Sequence, residues 1–137
     1  MADASATEAK AWMIKAWRDL ETARRAVAGM PPFYDIAVYH FQQAAEKAVK
    51  AFLVFHNQPY EKTHDIEVLI DLACEVDAQF SQLADAADAL TPYATRFRYP
   101  NATFAVEPQL SEYHEAEQHA HMIYNFVLNQ LPKESQP

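Results

Sequence analysis

The sequence predicts an all-α fold, an up-down antiparallel four-helix bundle with a short additional helix, and three observations lead there. Apolar residues recur at three- and four-residue spacings along most of the chain, the pattern of helices with one buried stripe. The chain holds one glycine and eight prolines. The prolines fall in groups at 31–32, 59, 92–108 and 132–137, which punctuates long helices and leaves few of the glycine turns a sheet needs. Half of the 137 residues are apolar, enough for one domain, 1–137, with its own core. Residues 1–6 and 132–137 are expected to fray.

The first helix is expected from Thr7, an N-cap candidate, to Ala28, on the stripe Ala9, Trp12, Met13, Ala16, Trp17, Leu20, Ala23 and Val27. Gly29 is placed to end it in a left-handed conformation, and Pro31 and Pro32 block its continuation. The second helix, roughly Phe33 to His56, sets Ala37, Phe41, Ala44, Ala45, Ala48, Phe52 and Phe55 on one face. Tyr39, Gln43, Glu46, Lys47 and Lys50 gather opposite. Alanines mixed with aromatics suit a central helix approached by several neighbours. The polar side reads in two ways. As a solvated strip, its Glu46–Lys50 pair contributes about 0.3–0.5 kcal/mol, and truncating Lys50 costs little. As a binding surface, Gln43, Glu46, Lys47 and Lys50 form a rigid row of donors and acceptors for an anionic ligand.

A third helix begins after Thr63 or His64, with Asp65 and Glu67 in its first turn, and buries Ile66, Leu69, Ile70 and Ala73. Phe80, Leu83, Ala84, Ala87 and Leu90 stripe a fourth, which breaks at Thr91-Pro92 before a short piece from Tyr93 to Phe97. Residues 98–109, with Pro100, Asn101 and Pro108, form the longest irregular connection. The last helix starts near Gln109, buries Tyr113, Ala116, Ala120, Ile123, Tyr124, Val127 and Leu131, and stops at Pro132.

With Cys74 as its one cysteine, the chain forms neither an intrachain disulfide nor a cysteine-cluster metal site. No apolar run reaches the ~18 residues of a membrane span, and Met1 to Thr7 is too polar for a secretory signal; a cytoplasmic location is expected. The net charge of −8 is uneven, since residues 1–62 carry eight Lys/Arg against seven Asp/Glu and residues 63–137 three against twelve. An acidic chain binds nucleic acid only through a local site. Between Thr63 and Leu131, Arg96 and Arg98 are the only Lys or Arg against eleven acids. Guanidinium pairs with phosphate, and the adjacent Tyr99 offers a ring for stacking on a base. The plainer alternative is that one arginine pairs with the acidic helices while Tyr99 and Pro100 shape the loop. His64 either faces a ligand or fixes a helix end, and the second role is commoner. His114, Glu115, Glu117, Gln118, His119 and His121 lack the two-histidine spacing of a helical metal motif and read as a solvated face. Cys74 reads as a packed thiol with no cation near it in sequence.

The run Gln-Gln-Ala-Ala-Glu-Lys-Ala-Val-Lys-Ala-Phe-Leu from Gln42 to Leu53, followed by Lys62-Thr63-His64-Asp65 and then by Arg98-Tyr99-Pro100, resembles the HEPN domain family over about residues 10 to 131. The resemblance implies a small helical domain associated with nucleotide or RNA binding. It implies, further, pairing with a separately encoded minimal nucleotidyltransferase in a toxin–antitoxin-like system, and a homodimer. No cofactor and no metal is implied. The ligand residues it suggests are Arg98, Tyr99, Lys47, Lys50, His64, Arg96, Gln43 and Glu46. RNA-cleaving members carry an arginine followed, four to six residues on, by a histidine, whereas here His114 lies eighteen residues after Arg96 and sixteen after Arg98. No catalytic residue is therefore assigned. The alternatives are a divergent endoribonuclease built from Arg98, Tyr99 and His64, and a non-catalytic dimerisation module.

Overall fold

The structure, a computed structural model, describes residues 3–100 and 107–137. Within them the chain forms helices α1 (Ala4–Ala26), α2 (Tyr34–Phe55), α3 (Ile66–Val76), α4 (Ala84–Leu90) and α5 (Leu110–Gln130), with no strand among the described residues. Tight 3-10 turns cover Ala78–Leu83, Thr91–Ala94 and Lys133–Ser135. The all-helical bundle predicted from periodicity is the observed architecture, and α2 is its axis, packing on each of the other four helices.

Composition explains that position. Ala37, Ala44, Ala45, Ala48 and Ala51 of α2 are wholly buried, as are Ala9, Ala16 and Ala23, which recur every seven residues along α1. Small side chains at these levels bring the two backbones close. Elsewhere large rings interlock, with Phe52 4.2 Å from Phe80 and Phe80 5.0 Å from Phe126, centroid to centroid.

The boundaries depart from expectation at identifiable points. α1 begins before Thr7, because the Asp3 carboxylate accepts from Ala6 N at 2.8 Å and caps the helix. No glycine has a positive φ, so Gly29 does not supply the left-handed stop; α1 ends at Ala26, ahead of the prolines. The left-handed residue is Asn57, with φ 55° at the end of α2. Its N–H donates to Val54 O and that of Gln58 to Leu53 O, at 3.0 and 2.8 Å, the paired bonds of a Schellman cap. Asp65, rather than Thr63 or His64, caps α3 by accepting from Glu67 N. The stripe over 80–90 is split between a 3-10 turn and a seven-residue helix, and the piece after Pro92 is a 3-10 turn ending at Ala94. Asn101 lies outside the described residues. Within the two segments suggested as frayed, Ser135 is buried and its Oγ donates to Ala6 O at 3.1 Å, which ties the turn Lys133–Ser135 to α1.

Two measurements check this packing. Phe52 and Ala48 are both buried, so Phe52→Ala should lower the unfolding free energy by about 3–5 kcal/mol through lost transfer and a residual cavity. A urea midpoint close to wild type would contradict the register of α2. Tyr113 packs edge-on against Tyr34, and burial, followed by the charge of Glu117, pushes its phenol from the ordinary value of 10.0 up to about 12. A pKa raised on folding gives stability that is present below about 10 and is lost as pH rises toward about 12. Stability should therefore fall less steeply across that window in Tyr113→Phe than in wild type; equal slopes would remove Tyr113 as the cause.

Candidate functional site

The polar side of α2 is not a solvated strip. Glu46 is 3 % and Lys50 7 % exposed, because the segment leading into α3 folds over them. Each has its partners. Glu46 Oε1 accepts from Gln42 Nε2 at 3.1 Å and lies 2.9 Å from His64 Nδ1, while Oε2 accepts from Lys50 Nζ at 3.0 Å. Gln42 Nε2 also donates to the His64 carbonyl at 3.2 Å, and Gln43 Nε2 donates to Gln42 Oε1 at 2.7 Å. The Lys50 ammonium lies 5.6 Å from the Trp12 ring centroid and 5.7 Å from that of Tyr60, so its charge is met by π-faces as well as by the carboxylate. The sequence assigned Gln43, Glu46, Lys50 and His64 to a ligand. In the structure they hold one another and fasten the Lys62–Asp65 segment to α2.

Lys47, one turn along, is committed as well. Its Nζ lies 2.6 Å from Asp19 Oδ2 of α1, and the other oxygen of Asp19 is 2.8 Å from His40 Nδ1. A carboxylate only accepts, so Nδ1 carries a proton and donates it to Asp19. Neither Asp19 nor His40 was singled out from sequence. Asp19 carried a signal, since it falls between Ala16 and Leu20 on the buried stripe of α1, where an acid needs partners.

The two arginines separate. Arg96 pairs with Glu112 of α5 at 3.1 Å, which is the plain ion-pair role. Arg98 lies with its guanidinium carbon 4.2 Å from the centroid of Tyr39 on α2, and no carboxylate among the described residues pairs with it. The backbone between them is strained: Phe97 sits at φ 69°, a region that costs a bulky residue roughly 1–3 kcal/mol. Stacking of Phe97 on Tyr93, 6.1 Å between centroids and 20° between planes, helps hold that turn, which directs Arg98 onto Tyr39. Arg98 and Phe97 then line a 320 Å³ cleft with Asp35, Ile36, Tyr39 and His40. Tyr99 beside it is 68 % exposed. Arg98 is thus set against the N-terminal half of α2, while His64 and Lys50 belong to the Glu46 network farther along it. The histidines of α5 form no cluster with acids, and among the described residues no group of three or more His, Cys, Asp or Glu is placed to hold a metal ion.

The sequence profile of the HEPN domain matches residues 9–131. The fold class is therefore that of a HEPN bundle, and the chain belongs to the HEPN domain family. A crystal structure of an archaeal HEPN homologue superposes with a TM-score of 0.69 at 30% identity, covering 90% of this chain and 98% of the archaeal one. A search of curated proteins finds no match.

The buried network is testable. Removing one partner of a buried ion pair leaves the other uncompensated, so Lys50→Ala should cost on the order of 3 kcal/mol, against the small loss expected for a solvated lysine. Truncation of the exposed Lys10 should stay within about 0.5 kcal/mol. Equal urea midpoints for the two variants would show that Glu46 does not depend on Lys50.

Proposed function

We propose that this HEPN protein binds a nucleotide or a single-stranded stretch of RNA at the Arg98–Tyr39 cleft. The observation that carries the reading is Arg98: an exposed guanidinium, stacked on an aromatic ring, with no carboxylate partner among the described residues, in the acidic part of the chain. Its donors are free for a phosphate, in the bidentate geometry guanidinium favours. Tyr99 supplies an exposed ring for a base. Family membership supports a nucleotide- or RNA-related role in general terms. Within that role we propose a toxin–antitoxin-like pairing with a minimal nucleotidyltransferase, and a homodimer to which exposed side chains such as Trp17 and Phe33 contribute.

The enzymatic alternative, a divergent endoribonuclease, is favoured by one arrangement. Asp19 fixes the His40 ring, and His40 lines the same cleft as Arg98. An oriented imidazole beside a guanidinium is the pairing required to move a proton at a phosphodiester and stabilise the charge that develops there. Of the two carboxylate-held histidines, His40 rather than His64 is the one that shares a cleft with Arg98.

Calorimetry with ATP, GTP and a short single-stranded RNA, on wild type and Arg98→Ala, tests the reading. Binding should weaken as salt rises, and Arg98→Ala should lose about 1.5–3 kcal/mol without unfolding. Equal affinities would remove Arg98 from the site. Absence of binding by every ligand would favour the dimerisation module. Slow RNA cleavage lost in both Arg98→Ala and His40→Ala would favour the nuclease.

A further inference from the structure

Residues 63–95 contain seven Asp or Glu and no Lys or Arg. Several of these acids crowd together: the carboxyl of Glu67 is held above the usual range by Asp88 first, with burial, Asp65, Asp71 and Asp85 adding to the effect. A surface that gathers this much charge of one sign without a cation is unfavourable on its own.

The same helix is apolar on two sides. Ile66, Leu69, Ile70 and Ala73 face the core, as expected, but Val68, Leu72 and Val76 recur every four residues on a second line. Val68 is 46 % and Val76 39 % exposed. Along this line runs a 510 Å³ groove, where Val68 and Leu72 of α3 meet Pro59 and Tyr60 of the preceding segment, with the exposed carboxylates of Glu61, Asp71 and Glu75 among its walls. Apolar floor and acidic walls therefore coincide.

We propose that the outer face of α3 docks a basic protein segment, a helix whose apolar stripe fills the Val68–Leu72 groove and whose Lys or Arg side chains meet Glu61, Asp71 and Glu75. Charge complementarity selects this occupant. Nucleic acid and anionic lipid are repelled by the same carboxylates, and no group among the described residues is placed to hold a metal ion. An amphipathic helix laid in a groove uses side chains at four-residue steps, the step at which Val68, Leu72 and Val76 are presented. The face is separate from the Arg98 cleft, so it leaves that cleft available.

The test uses a labelled synthetic peptide of leucine and lysine, about five helical turns long with its leucines on one stripe, and a scrambled peptide of the same composition. Fluorescence anisotropy at low and high salt measures both against the full chain. The striped peptide should bind about tenfold more tightly than the scrambled one, and the preference should be lost in Val68→Ser with little change in salt dependence. Asp71→Asn combined with Glu75→Gln should weaken binding and flatten its salt dependence. Glu115→Gln combined with Glu134→Gln, which removes as much charge elsewhere, should leave binding unchanged. All of these positions are exposed, and circular dichroism confirms that the variants fold. Equal binding of the two peptides, or equal weakening by the two double variants, would reduce the effect to general attraction and overturn the proposal. Dissociation of a wild-type oligomer by Val68→Ser in sedimentation would overturn it in favour of a second copy of this chain.

Discussion

The interaction on which most of this molecule depends is the burial of one carboxylate. Glu46 sits in the middle of the most enclosed helix, and a charge there is tolerated only because three donors from two segments, Gln42 Nε2, Lys50 Nζ and His64 Nδ1, converge on it. Those bonds draw the Lys62–Asp65 segment onto α2, which sets the start of α3. The position of α3 in turn shapes both the core on its inner side and the groove on its outer side. A purely apolar residue at 46 would fill space without specifying where the segment lands.

This changes the meaning of the residues that looked most like a ligand site. Gln43, Glu46, Lys50 and His64 were visible in the sequence as polar groups belonging to a family pattern, yet Glu46 and Lys50 are buried, and Gln43 and His64 are tied to the same network. Periodicity located α2 within a residue at each end, and it predicted the buried stripe correctly at Phe41, Ala44, Ala48 and Phe52. It misjudged the opposite side. A helical wheel records what a helix offers, whereas burial is decided by what folds over it, here Trp12, Tyr60 and His64 from elsewhere in the chain. The pairing of Asp19 with His40 and Lys47 spans 21 and 28 residues, and no local spacing announces such contacts.

The loop after α4 shows the converse. Arg96 and Arg98 are equivalent by composition and two residues apart, yet one is spent on Glu112 and the other stands over Tyr39. What separates them is the left-handed backbone of Phe97, a conformation that bulky residues avoid and that sequence gives no reason to expect. The strain at that residue is offset by its stacking and by the contact it permits. Fold class and family were thus legible from the pattern of the chain, while the division of labour among its charged residues was not.

The placement of charge has a physical consequence for the molecule as a whole. Lys10, Lys15, Arg18, Arg24 and Arg25 all belong to α1, whereas α3 and α4 carry none, and α2 packs against α1 and α3 alike. The protein is therefore an electric dipole with α2 near its neutral plane. In a non-uniform field such a body turns before it touches. It meets a polyanion with α1 leading and a polycation with α3 leading, so that orientation is selected during approach, ahead of any specific contact.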